Sequence, residues 1–186
     1  MNSAEQTAMA AYREIQSTAN SNMMVQGASA LFGGAIAWGV DVMVIGTHYV
    51  PMFNKIRGLY GRGVVDKGVI SPIISNILSE CLFDLVHDKF LGGIPVIGVY
   101  FNAVCAKTLT WRLGILFSML ASRGEEIYAD TVKDCMFVIR SIFPQSSAYV
   151  LAQPNSGKFK EIVMSVNNNT KQEFESKINK AVDAFR

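Results

Sequence analysis

Hydrophobic positions along the chain recur at helical spacing, and the first such run begins near the N-terminus. Ser3 with Gln6 has capping-box spacing, and Ala8, Tyr12 and Ile15 share one face, which predicts a helix over residues 3–17. A polar spacer, Ser17 to Asn22, is expected next. From Met23 to Phe53 the only formal charge is Asp41, and the apolar stretch before it is about as long as the shortest membrane span. Small residues recur there four apart, as Ala30 with Gly34, Gly33 with Ala37 and Ala35 with Gly39. That spacing lets helix backbones approach closely, either in lipid or in a tightly packed water-soluble core.

The chain turns polar and basic between Lys55 and Lys67, with Arg57, Arg62 and Asp66 around the glycines 58, 61 and 63. A short apolar stretch follows, Gly68 to Ser79, with Pro72 expected at a first-turn position of a helix after Ser71. It continues as an amphipathic helix through Val86, with Glu80, Asp84, His87 and Asp88 off the apolar face. Leu91 to Pro95 is a break. A second long apolar segment runs from Ile94 to Ala121, interrupted by Lys107 and Arg112. The last third has ordinary water-soluble character: a helix over 130–143 stopped by Pro144, a short element over 157–166 that reads as helix in preference to strand, and a final helix opened by the capping box Thr170 to Glu173. The expected division is an N-terminal helix (1–22), an apolar helical core (23–122) and a C-terminal helical appendage (123–186).

Composition sharpens this all-α picture. Half of the 186 residues are hydrophobic, only 17% are charged, and the mean hydropathy is +0.25, which leaves a thin polar surface. A net charge of +2 gives no general nucleic-acid footprint and is compatible with an anionic membrane surface. The first 22 residues carry Glu5, Arg13 and Glu14 and have no early apolar core, so no signal peptide is expected. Cys81, Cys105 and Cys135 are widely spaced in apolar surroundings, as expected of reduced, buried cysteines.

Candidate chemistry is sparse. Ser156-Gly157-Lys158 ends like a phosphate loop, but Ala152 stands where its first glycine belongs and Phe159 where Ser or Thr belongs. His87 between Asp84 and Asp88 reads as a solvated helix face rather than a metal site. No nucleophile has an identifiable base, so no enzyme, cofactor or metal is expected. The charges inside apolar segments are more informative. Asp41 would pair with Lys107 or Arg112 across two helices, or the two cations would snorkel to a surface. His48, about two helical turns after Asp41, could share a polar contact with it.

Two blocks resemble the YcjF-like domain. The first carries Asp41, Met52, Ile56, Tyr60 and Gly61, and the second Ile94, Pro95, Gly98, Asn102, Ala103, Ala106, Thr110 and Gly114, ungapped within each block. The resemblance covers roughly residues 30–120. Tyr49 stands where that family usually has glutamine, and Trp38-Gly39 replaces a proline-containing entry. The family is a helical domain of poorly defined function, found in bacteria alone or behind Era-like GTPase domains and described as membrane-associated. The resemblance therefore implies a membrane-linked helical module; the GTPase sequence is not contained here, so it implies no GTP hydrolysis.

The leading expectation is a non-enzymatic interaction module at the cytoplasmic face of the inner membrane, touching lipid, a protein partner or a second copy of itself, and acting beside a GTPase. Asn102, Thr110 and the glycines 61, 98 and 114 would serve close helix contacts. The alternatives are a water-soluble cytoplasmic regulator, adaptor or immunity protein, and a membrane-inserting toxin or pore former.

Overall fold

The computed structural model describes residues 3–31, 44–87, 98–127 and 156–165. Every regular element among them is helical, and the chain is all-α. The elements are α1 (Ser3–Leu31), a π-helical turn (Ile45–Tyr49) running directly into α2 (Val50–Leu59), α3 (Lys67–His87), α4 (Gly98–Arg123) and α5 (Ser156–Ser165). The short helix expected near 157–166 is α5. The helices expected at 130–143 and after Thr170, the break at 91–95 and the small-residue pairs beyond Leu31 lie outside the described residues.

The expected spacer at 17–22 is instead part of α1. Neither proline nor glycine occurs between Ser17 and Gln26, and Ile15, Ala19 and Asn22 form one buried stripe at helical spacing. Tertiary packing carries the helix through a polar stretch, and the boundary expected after residue 22 falls inside it.

The start of α3 also differs from expectation. Asp66 caps it, its Oδ1 accepting the Gly68 N–H at 2.7 Å, while the Val69 and Ile70 N–H groups reach the Asp66 carbonyl at 3.1 Å. The helix therefore begins before Ser71, and Pro72 sits inside it, past the first turn.

Proline also explains the π-helical turn. Pro51 has no N–H for the Thr47 carbonyl, and its ring needs room against the preceding turn. The helix widens just ahead of it, where the Val50 N–H bonds to the Ile45 carbonyl five residues back.

α4 is the centre of the bundle. Every residue from Leu109 to Ala121 is buried, so this stretch is covered on all sides, with α1, α2 and α5 packed around it. Ile15 meets Gly114 while Asn22 meets Thr110, so α1 and α4 run antiparallel. Phe159 on α5 sets its ring edge-on to Tyr12 at 5.4 Å, and Tyr12 in turn packs on Trp111 at 5.2 Å. Phe53 on α2 meets Phe117 at 4.9 Å. Each of these large side chains contributes about 1.5–3 kcal/mol by leaving water. The greasy second half of the 94–121 segment is thus covered by the protein's own helices. Among the described residues, no helix is long and apolar enough to cross a membrane.

Candidate interaction site

Two helix ends meet at one pole of the bundle. Both end in the same left-handed glycine motif. At α2, Gly61 has φ +70°, its N–H bonds to the Gly58 carbonyl at 3.0 Å, and the Arg62 N–H reaches the Arg57 carbonyl at 2.9 Å. At α4, Gly124 has φ +73°, its N–H bonds to Ala121 at 3.2 Å, and the Glu125 N–H reaches Leu120 at 2.9 Å. The Arg62 guanidinium lies over Gly124 and would have to swing aside for a side chain there, but it is the positive φ that favours glycine at this position.

Helix C-termini carry partial negative charge, and arginines gather at this pole accordingly. Arg57, with only 7% of its side chain exposed, forms a two-pronged pair with Glu126 at 2.8 and 3.0 Å. Its Nε donates to the Gly63 carbonyl at 2.9 Å, and its guanidinium lies 5.4 Å from the Phe53 ring centroid. Arg123 pairs with Glu125. The Glu126 carboxyl is held below its ordinary pKa of 4.5, first by the hydrogen bond from Arg57; desolvation by burial opposes this, and the Arg57 and Arg62 charges add smaller lowering contributions.

The connection from Gly61 to Asp66 is fastened to α2 at a second place. The Asn54 side chain donates to the Val65 carbonyl at 3.0 Å and accepts the Val65 N–H at 2.9 Å. Bonds at Gly63 and Val65 leave Val64 between them projecting outward, 81% exposed. Val69 on the first turn of α3 and Leu59 at the end of α2 are exposed as well, with Arg62 and Lys67 beside them in sequence. A Cβ at Gly58, Gly61 or Gly63 would meet open space, so these positions of the turn are uncovered.

The other polar cluster is internal. The Asn22 amide donates to Tyr49 Oη at 2.7 Å and to Thr110 Oγ1 at 3.1 Å, and Thr110 donates to the Ala106 carbonyl at 2.7 Å. All three side chains are buried, which ties α1, the π-helical turn and α4 at one point. Tyr49, at the position where the family resemblance leads to glutamine, still supplies a polar atom.

The structure places the expected site residues as follows. Thr110 is in the internal cluster and Gly114 is packed on Ile15, close enough that a Cβ would overlap the Ile15 side chain. Gly61 and Tyr60 end α2; burial pushes the Tyr60 phenol up to about 12, and its hydroxyl is buried without a hydrogen-bond partner. His48 is half-buried on the π-helical turn, with its imidazole pKa lowered by desolvation. Arg112 is 2% exposed, so snorkelling does not describe it, whereas Lys107 is half-buried. Gly98 opens α4 and Asn102 lies in its second turn. Asp41 and Pro95 fall outside the described residues, and with them the expected ion pair and the Asp41–His48 contact. Sequence reasoning missed Asn22, Asn54, Arg57 and Glu126 as site-forming residues; the arginines beside glycines at 57–63 were the available signal.

Ser156-Gly157-Lys158 forms the first turn of α5. Among the described residues, no three His, Cys, Asp or Glu side chains gather as a cation site. No protein-family profile, no curated protein and no solved structure matches the chain.

Proposed function

We propose that the chain is a non-enzymatic helical interaction module that works at a membrane surface, beside a GTPase of the kind its YcjF-like resemblance suggests. One observation carries this reading. The Asn22–Tyr49–Thr110 cluster and the Arg57–Glu126 pair join helices to one another, while a turn fastened at Gly63 and Val65 presents Val64 to the outside. Such an arrangement suits recognition by contact rather than chemistry in a pocket.

Partition of the full chain after lysis tests it. Recovery with the membrane fraction, with release by salt or detergent, is the expected outcome. Quantitative recovery in the detergent-free supernatant sinks the membrane reading and favours the water-soluble regulator or adaptor. Dye release from liposomes on adding purified protein would point to the pore former instead.

A further inference from the structure

We draw no further inference here: the strongest candidate, the exposed patch of Val64 and Val69 on the turn between α2 and α3, carries none, because the Lys67 ammonium packs over Gly46 and the Arg62 guanidinium over Gly124, and nothing in the structure shows what covers the patch.

Discussion

Two places along α4 are located by different physics. Near its middle, Gly114 lets α1 approach until Ile15 lies on the α4 backbone, and the contact is apolar, dry and set by shape. At its C-terminal pole, α4 is held to α2 by charge, through Arg57, Arg62 and Glu126 around two glycine-capped helix ends. A shape contact cannot be screened by salt or titrated by acid; it fails only when volume changes. A charged contact with a partly exposed carboxylate responds to both. The same helix therefore has one anchor indifferent to solution conditions and one that senses them.

The shape contact should break hardest. Gly114→Val is expected to cost about 3 kcal/mol or more, and Gly114→Ala about 1–3 kcal/mol, because Ile15 is fully buried and β-branched and has little room to move aside. Chemical denaturation measures both. In a double-mutant cycle, Ile15→Ala should recover part of the Gly114→Ala loss, since it removes the atoms in the way. Strictly additive losses would mean that α1 and α4 do not meet at this position.

The charged contact should break less severely. Arg57→Ala removes the Glu126 pair and the bond to the Gly63 carbonyl together and is expected to cost about 2–3 kcal/mol. Glu126→Gln should cost only about 1 kcal/mol, because the carboxylate is partly exposed and solvent screens it. Its pH signature is sharper than its size. The folded-state pKa of Glu126 lies below 4.5, so its contribution is fully present above that value and is lost as pH falls through the lowered folded value. Wild type and Glu126→Gln should therefore differ at neutral pH and converge under acid. A difference that persists at low pH would remove the ion pair from the account.

Much of the first contact was legible in the sequence and almost none of the second. Ala8, Tyr12 and Ile15 lie on the buried face of α1 as their spacing predicts, and the apolar run before Ala121 is the buried helix it resembles. Gly114 stood out as a position for close approach. By contrast, Ser17 to Asn22 read as a spacer because Asn22's partners, Tyr49 and Thr110, are distant in sequence. Arg57 and Glu126 are 69 residues apart, and no local periodicity joins them. Local pattern shows which face is apolar; it does not show which polar residue a fold will bury opposite another. Pro72 misled for a related reason, since proline favours a first turn but Asp66 supplied a stronger cap upstream.

His48 offers a smaller acid response, separable from that of Glu126. Desolvation lowers its folded pKa beneath 6.5, so the folded protein keeps the ring neutral where the unfolded chain would protonate it. That contribution is present above pH 6.5 and is lost as pH falls through the lowered folded value. Thermal melts between neutral and mildly acid pH should show a decline that His48→Gln flattens. A wild-type slope equal to that of the variant would place the sensing group elsewhere.

The smallest expected effect has the opposite sign. Tyr60 ends α2, its hydroxyl is buried without a partner, and burial pushes its phenol up to about 12. A buried donor that has left water without gaining a bond weakens the fold, and the hydroxyl lies on a residue whose ring packs against the core. Tyr60→Phe keeps the ring and removes the orphaned group, so it should stabilise the protein by up to about 1 kcal/mol. If the hydroxyl instead supports the pole that holds Arg57 and Gly61, the same substitution destabilises the fold. Equilibrium unfolding of this one variant thus decides whether the junction of α2 and the turn is held by charge and backbone bonds alone.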